Sequence, residues 1–434
     1  MSGGHSGQAD DGIIAERGDG FQMLWDSVML RHAEAFGTDG DAPMQQPEIG
    51  RSTATFVPEE TLVAVIEMSL STWLVAGLVP GVDRRPLKKL SPDENDLLLL
   101  LDGWRCEAIA AGRTITRVVV AYESGRDGFW LARWLRTRGI EAQVIHASSV
   151  AVSRDRRRAK TDRLDTTLLM RVLLGWLRGE AGHCSMVAVP GIDEEDAKRP
   201  TRERENLVAE RTRIVNRMKA TFARLGIRNV NPALRKTAER LDKLRTPEGG
   251  MIPANTLAEL RRDTARLRMV EEQIAEIERE RMDRIAQAAP QRSRADGMLR
   301  MLSRVVGVGV ETADLLVQEI LLRDLRDRRA VARYAGLTGS PDESGARRRE
   351  RGLSRAGNAR VRKAMVQLAW RFLVFQKESA LVKWYRERTA DGRGRTRMAL
   401  IVALARKLLI ALWRMVKTGE VPQGALVRPD PAAA

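Results

Sequence analysis

Several short apolar runs, rich in β-branched residues, follow one another through the first half of the chain. They read LVAVIEM, TWLVAGLV, RVVVAYE and AQVIHA, and their composition predicts strands, while FWLARWLRTRG between the last two has helical spacing. Two runs end in acids, Glu67 in VAVIEMS and Glu123 in VVVAYESG. Because an α/β sheet exposes functional side chains at its strand ends, these acids indicate chemistry rather than packing. The implied order is strand, strand, strand, helix, strand and helix, in an α/β domain that ends near Gly182.

A second pair of acids opens the next predicted helix. Asp162 and Asp165 in AKTDRLD precede the wide apolar face of LDTTLLMRVLLGWLR. Acids at a helix start are favoured by the helix dipole, so this pair also has a purely structural interpretation. Since residues three apart share a helix face, both carboxylates can reach a site that Glu67 and Glu123 approach from adjacent strands. Four carboxylates favour Mg²⁺ or Mn²⁺, and a pair of such ions suits phosphodiester displacement.

The charge balance limits the class of partner. The 434 residues include 74 Lys and Arg against 57 Asp and Glu, a net charge of +17, which predicts binding to a polyanion, most plausibly nucleic acid. The two cysteines, Cys106 and Cys184, cannot build a disulfide framework or a cysteine zinc site, which fits a reducing cytoplasm. The sequence shows neither a signal peptide nor a continuous apolar membrane span, so a soluble protein without membrane partners is expected.

The middle of the chain is charged and has heptad-like apolar spacing. Two long helices are predicted over ENLVAERTRIVNRMKATFARLG and LAELRRDTARLRMVEEQIAEI, separated by a linker that contains PEGG and IPAN. An antiparallel helical hairpin is the simplest arrangement, and it could act as a dimerisation arm or as an ordinary spacer. The heptad-like positions are Leu207, Ile214, Met218, Leu225, Leu260, Leu267, Val270, Ile274 and Ile277.

After Pro290 the chain predicts a compact helical domain. MLSRVVGVGVETADLLVQEI reads as two helices joined by a turn on Gly307 and Gly309, an arrangement similar to a helix-hairpin-helix whose backbone amides can approach a phosphate. A loop dense in Gly and Arg then leads into another helix. Between Ser344 and Lys363 it carries eight Lys or Arg and one Glu. This density of positive charge is typical of a surface that binds phosphates, and a solvated basic surface is the alternative. The candidate nucleic-acid-binding residues are Lys160, Arg347, Arg348, Arg349, Arg351, Arg355, Arg360, Arg362 and Lys363.

Ser344 is a candidate reactant because it immediately precedes this basic cluster. A serine hydroxyl is a poor nucleophile unless a base, a metal or a dense positive field assists it. A role in phosphate binding alone is the alternative. By composition Ser124, Ser340 and Ser354 are equally permissible nucleophiles.

The ordered set of motifs resembles one family, the bacterial insertion-sequence transposases of the IS-one-ten type, also described as DEDD transposases or bridge-RNA-guided serine recombinases. The matching pieces are VAVIEMS, VVVAYESGRDGFWLARWL, AKTDRLDTTLL, RERENLVAERTRIVNRMKATFARLGI, VVGVGVETADLLVQEI and RYAGLTGSPDESGARRRERGLSRAGNARVRKAMVQLAW. They extend from about residue 62 to 415 in family order. The set is specific, although each fragment alone is weak.

The resemblance implies an α/β RuvC-like (RNase H-like) N-terminal domain, a helical coiled-coil middle and a mainly α C-terminal transposase domain with the helix-hairpin-helix-like element. It assigns Glu67, Glu123, Asp162 and Asp165 as Mg²⁺ ligands and Ser344 as the nucleophile that forms a covalent phosphoserine link to DNA. The expected partners are double-stranded donor and target DNA, a noncoding guide RNA, and further copies of the chain. The metal site and the serine would meet across protomers of a homodimer or homotetramer, in the bacterial cytoplasm and at the nucleoid when DNA is bound.

The expected domains follow from the composition of the chain together with this resemblance, and the N-terminal extension has no counterpart in the family. They are a flexible N-terminal extension with one docking helix over 1–57, a RuvC-like domain over 58–185, a coiled-coil segment over 200–290, a C-terminal transposase domain over 296–420 and a flexible tail over 421–434.

Two departures from the family pattern fall at the first acid. Glu67 stands where the family normally has Asp, and Leu70 stands where it has Lys. The extra methylene of Glu67 shifts its carboxylate by roughly one C–C bond, which the backbone must accommodate for metal binding. Two other functions remain open on these residues: a RuvC-like nuclease that hydrolyses DNA, and a non-catalytic nucleic-acid-binding relative.

Overall fold

The computed structural model describes residues 55–125, 128–146, 149–150, 162–180, 183–287, 293–344, 347–353, 357–390 and 394–429. The predicted N-terminal extension and its docking helix lie outside these residues up to position 54. Within the described part, six strands form one mixed sheet: β1 Thr61–Met68, β2 Trp73–Leu78, β3 Leu87–Leu90, β4 Arg117–Glu123, β5 Glu141–Ile145 and β6 Met186–Val187.

The sheet has the order β3-β2-β1-β4-β5-β6, with β1, β4 and β5 parallel and the other strands antiparallel to their neighbours. β1 and the middle of β4 are buried on both faces, as parallel strands covered by helices require. Three helices cover them: α1 Glu94–Ala110, α2 Trp130–Arg136 and α3 Asp162–Leu177.

The two faces of the sheet have separate cores. Ala64, Ile66, Val120 and Tyr122 pack on one side with α1 and α2. The alternate residues of the same strands pack on the other side with α3. Because residues two apart on a strand share a face, Glu67 and Glu123 lie on the same side of the sheet as the residues that pack on α3.

The predicted α/β domain is confirmed in class but was incomplete in its elements. The predicted order lacked α1, β3 and β6. The LLLLL run of α1 has no clear helical period, although Asp93 caps its start by accepting hydrogen bonds from Asn95 N and Asp96 N. Since β6 pairs with β5, the sheet extends past the predicted domain limit at residue 185.

Two long helices follow and pack side by side as a hairpin. They are α5 Arg199–Arg224 and α7 Ala254–Gln287, and shorter helices lie before and between them: α4 Ile192–Asp196, α6 Arg235–Arg240 and a 3-10 turn Leu241–Lys243. The ion pairs between the long helices show that they run antiparallel, because rising numbers on α5 meet falling numbers on α7: Arg204 with Glu278, Arg211 with Glu271, and Arg217 with Asp263.

The heptad-like residues predicted from the sequence line this hairpin. Leu207, Ile214, Met218, Leu260, Leu267 and Val270 are buried in one core, and Leu225, Ile274 and Ile277 pack against it. The two helices thus bury their apolar stripes on each other within a single chain.

The remaining described residues form a mainly helical domain with one small hairpin. The helices are α8 Arg294–Ser303, α9 Val310–Leu316 with a π-helical extension Val317–Leu321, α10 Arg328–Tyr334, α11 Ala359–Phe375, α12 Ala380–Arg388 and α13 Gly394–Thr418. The strands are β7 Gly339–Ser344 and β8 Arg347–Leu353, which pair antiparallel. The predicted Gly- and Arg-rich loop is therefore wrong for most of its length, since its backbone forms this hairpin.

The ordered C-terminal domain extends beyond the predicted limit at residue 420. Val427 forms an antiparallel bridge with Val305, and Leu426 accepts a hydrogen bond from Val306 N at 3.0 Å. The side chain of Gln376 reaches both segments, donating to Val306 O at 2.7 Å and accepting from Leu426 N at 2.7 Å. A flexible tail that starts at residue 421 is thus corrected for the part up to residue 428.

Across the described segments, no helix combines the length and apolar character that crossing a membrane requires.

Candidate active site

Glu67 and Glu123 lie side by side on neighbouring parallel strands. The register of β1 and β4 pairs Ile66 with Tyr122, so the next step places Glu67 beside Glu123, at the usual interstrand separation of about 4.8 Å. Each acid lies two residues after a residue that is buried on the α3 side of the sheet: Glu67 follows Val65, and Glu123 follows Ala121. The two acids therefore belong to one face of one sheet edge.

The helix α3, which carries the other two acids, packs on the same face of the sheet. Its buried residues Leu169 and Leu173 pack on Val63 and Val65 of β1. Asp165 lies one turn before Leu169 and is half-buried, and Asp162 is the first residue of the helix. Asp165 thus continues the packing face of the helix by one turn towards its N-terminus.

We call these four positions, Glu67, Glu123, Asp162 and Asp165, the acidic edge. Its donors are all carboxylates, the oxygen ligands that suit Mg²⁺ or Mn²⁺. The surrounding core fixes the backbone that carries them. The described side chains, which exclude that of Asp162, contain no cluster of three His, Cys, Asp or Glu arranged to hold a metal. The donor chemistry fits a divalent cation.

Ser344 lies at the end of β7, where it pairs with Arg347 at the start of β8. We call β7 and β8, residues 339–353, the serine hairpin. Arg348 pairs with Glu343, and Arg349 pairs with Asp342. Strand pairing therefore fixes the backbone of the three arginines from 347 to 349 next to the serine.

The other candidate nucleic-acid-binding residues have different surroundings. Lys160 and Arg355 lie outside the described residues. Arg351 is on β8, and Arg362 and Lys363 are in the first turns of α11, where Lys363 is exposed. Arg360 already donates a hydrogen bond through Nε to Glu205 of α5 at 3.0 Å, so part of its charge is used in holding two helices together.

The serine hairpin and the acidic edge are separate in this chain. Their elements belong to different parts of the fold, and no extensive packing joins them among the described elements. The structure therefore places Glu67 and Glu123 on one face of the sheet and, in another part of the fold, Ser344 next to its arginines along the paired strands.

The two helices predicted on either side of Gly307 and Gly309 are α8 and α9, and the turn between them packs on other parts of the chain. Gly307 has φ +91°, and an added Cβ would lie 3.3 Å from Phe375 Cβ. Val306 N is bonded to Leu426 O of the C-terminal segment. Packing and chain pairing explain this glycine without a phosphate.

Sequence reasoning missed a buried polar contact beside the serine hairpin. The Glu319 carboxylate, in the π-helical segment, accepts hydrogen bonds from Arg202 of α5 and from Asn358 before α11. Asn358 could have been recognised as a helix cap from its position before ARVRKAM. The partners are 117 and 39 residues apart in the chain, so no local pattern connects them.

An acidic sheet edge joined to an arginine-rich helical domain, with a net charge of +17, defines the class of a nucleic-acid-processing enzyme. A sequence profile described as "Transposase IS116/IS110/IS902 family" matches residues 299–385, and a DEDD-type IS110 profile described as "Transposase" matches residues 87–226. The chain belongs to the IS110/IS116/IS902 family of transposases, and DNA transposition is its activity.

Two relatives from Sinorhizobium fredii (strain NBRC 101917 / NGR234) agree with this assignment. The protein named "Putative transposase y4rJ" is 38% identical over 397 residues, which cover 89% of this chain and 99% of the relative. The protein named "Putative transposase y4qE" is 25% identical over 324 residues, which cover 69% of this chain and 75% of the relative.

Proposed function

We propose that this transposase cuts and rejoins DNA through a covalent bond to Ser344, with a divalent cation at the acidic edge. The observation that carries the proposal is the register of β1 and β4, which sets Glu67 beside Glu123 on the face that α3 covers. The sheet order, with an antiparallel β1-β2-β3 unit beside parallel β4 and β5, is consistent with an RNase H-like domain.

In the proposed reaction the Ser344 oxygen attacks phosphorus and forms a phosphoserine ester. The bond from phosphorus to the departing DNA oxygen breaks, and that strand leaves as a free hydroxyl carrying the proton. A hydroxyl of another DNA end then attacks the ester and regenerates the serine. One phosphodiester is exchanged for another, so no outside energy source is required.

The acids and the arginines of this chain would have different roles in the reaction. The four acids would hold Mg²⁺ or Mn²⁺, which when bound neutralises charge on the phosphate. The arginines that strand pairing fixes beside Ser344 would hold the phosphate group and lower the cost of placing an alkoxide near it. The longer side chain of Glu67 would reach the ion from the adjacent strand.

We propose that a complete site uses the acidic edge of one protomer and the serine hairpin of another, in a homodimer or homotetramer. The lack of extensive packing between these two parts within the described chain supports this arrangement. The net charge of +17 supports double-stranded donor and target DNA as partners, together with a noncoding guide RNA that selects sequence by base pairing. The low aromatic content of 4% offers few stacking platforms for single-stranded bases.

Mass spectrometry of the protein after reaction with its DNA ends tests the serine step. A DNA adduct is expected on the peptide that contains Ser344 and is absent from Ser344→Ala. Ser340→Ala, on the same strand, is the matched control and keeps the adduct. Cleavage that persists in Ser344→Ala and leaves free ends would support the hydrolytic nuclease instead.

Mixing two inactive variants tests the composite site. Ser344→Ala protomers retain the acids, and Asp165→Asn protomers retain the serine. Mixed oligomers recover strand exchange if the two parts meet across protomers, because one intact combination forms. They stay inactive if each site is built within one chain. Asp102→Asn, an exposed acid on α1, is the control for Asp165→Asn and keeps activity.

A further inference from the structure

Among the described residues, the chain enters and leaves the serine hairpin near the end of α10. β7 begins three residues after Gly336, which ends α10 by donating from its N to Arg333 O at 2.9 Å. β8 leads back to Gly357, where an added Cβ would lie only 2.6 Å from Tyr334 O and 2.7 Å from Gly336 N. Both ends of the hairpin therefore converge on the end of α10.

Asn358, the next residue, forms hydrogen bonds here through its side-chain oxygen, its side-chain nitrogen and its backbone N–H. Its N donates to Tyr334 O at 2.6 Å. Its Oδ1 accepts from Arg360 N at 3.0 Å and Val361 N at 3.2 Å, and so caps α11. Because these two bonds fix the orientation of the amide, Nδ2 must point away from α11, where it donates to Glu319 Oε2 at 3.0 Å.

Glu319 connects this cap to the base of the helical hairpin. Its side chain is 6% exposed. Its Oε1 accepts from Arg202 Nε at 3.2 Å and Nη2 at 3.1 Å, so its two oxygens serve two different elements. Removing one hydrogen-bond partner of this buried carboxylate costs free energy, because the polar group left behind has neither a partner nor water.

We propose that Glu319 and Asn358 are positioning residues for the strand-exchange reaction. Together with Arg202 they form a polar junction that sets the serine hairpin relative to α5 and α11. The proposal rests on the function assigned above to Ser344. The junction acts through the backbone at Gly357 and Asn358, and none of its three side chains touches DNA. Displacing a reacting group by about 1 Å can lower a rate by about 100-fold, so small shifts of this anchor change the chemistry.

A reciprocal exchange of the two side chains tests the junction. Asn358→Asp keeps the cap of α11, since Asp and Asn cap equally well, but it places an oxygen against the Glu319 carboxylate. Glu319→Gln keeps the acceptor for Arg202 but sets an amide N–H₂ against the amide of Asn358. In the double variant the introduced glutamine amide donates to the introduced aspartate carboxylate, which restores the hydrogen bond and the total charge.

We expect each single variant to form the Ser344–DNA adduct at least about tenfold more slowly than the wild type. The double variant should return to within about threefold of the wild-type rate. The midpoint of thermal unfolding should fall in the single variants and recover in the double variant, because a buried polar group loses its partner in each single variant. DNA affinity should change little throughout, and the rates are measured well below these midpoints, where a merely stabilising contact would not slow the reaction. Asp93→Asn, an equivalent exchange at the cap of α1, is the control and keeps the wild-type rate.

Single variants at the wild-type rate, or a double variant no faster than the single variants, would overturn the proposal. If wild-type protein forms no adduct at Ser344, the assigned function fails, and hydrogen exchange of residues 339–353 then tests the junction alone. Faster exchange in each single variant, reversed in the double variant, supports the anchoring role. Unchanged exchange in the single variants refutes it.

Discussion

Gly357 allows a direct test of how tightly the serine hairpin is held. Its φ of +90° is unfavourable for any residue with a Cβ, and a Cβ there would lie 2.6 Å from Tyr334 O and 2.7 Å from Arg333 O. Gly112 provides a matched control, because its φ is +76° but an added Cβ meets nothing within 4 Å. The two substitutions to Ala share the backbone cost and differ only in the collision.

The magnitudes follow from this difference. The left-handed backbone alone costs about 1–2 kcal/mol for a residue with a Cβ, which is the effect expected for Gly112→Ala. Overpacking against backbone that cannot rotate away adds about 1–3 kcal/mol, so Gly357→Ala should cost about 2–5 kcal/mol. Because the two glycines lie in different parts of the fold, native-state hydrogen exchange is the suitable assay, since it reports local opening free energies.

Peptides that cover residues 328–344 should lose protection in Gly357→Ala, and peptides at the end of α1 should lose less in Gly112→Ala. Formation of the Ser344–DNA adduct should also slow in Gly357→Ala and remain unchanged in Gly112→Ala. Equal losses of protection in the two variants would refute the reasoning, because they would show that the end of α10 yields to the added carbon.

Three further predictions concern the core and the helical hairpin. Burial raises the pKa of the Cys184 thiol to about 11, so thiol reagents at pH 8 should leave Cys184 unlabelled until denaturant is added, as mass spectrometry of its peptide would show. The hydrogen bond from Arg217 holds the pKa of Asp263 below its ordinary value, so its stabilisation is present above that ordinary value and is lost as the pH falls through the lowered one. The stability difference between wild type and Asp263→Asn, measured by urea unfolding, should therefore be largest at neutral pH and shrink in acid. Leu267→Ala should destabilise the helical hairpin by about 2–5 kcal/mol in the same assay, whereas Met269→Ala, at an exposed position, should stay within about 0.5 kcal/mol.

The strand-end acids show what sequence patterns predict well. The apolar runs that end near Glu67 and Glu123 predicted adjacent strands, and the register shows these two positions side by side. Successive strand residues point to opposite faces, so counting along each run assigns the face on which its acid lies. This was sufficient here because the residues that precede the acids are buried in both strands. The helical hairpin was predictable for the same reason, since its apolar spacing persists over many turns.

The serine hairpin shows where such patterns fail. SPDES and RRRERGL contain no alternation of apolar and polar residues, and they are rich in charge, Pro and Gly. Their pairing is therefore not encoded by hydrophobic period. Likewise the run DLLLLLDG of α1 is apolar without a clear period, so its helix is decided by packing on the sheet, where Leu97, Leu101 and Trp104 are buried.

The two parts of the proposed site depend on different physical interactions. The acidic edge is carried by strands whose register follows from apolar residues on both faces, so substitutions beneath it reduce stability before they alter geometry. The serine hairpin is held by the fit of Gly357 and by the hydrogen bonds of Glu319 and Asn358, so substitutions there are expected to alter the position of the hairpin as well as the local stability. Because Arg202 belongs to α5 and its partner Glu319 also bonds Asn358, we expect a movement of the helical hairpin to reach the serine hairpin but not the register of β1 and β4. In the proposed reaction the position of Ser344, rather than that of the acids, is thus the part that the rest of the chain can adjust.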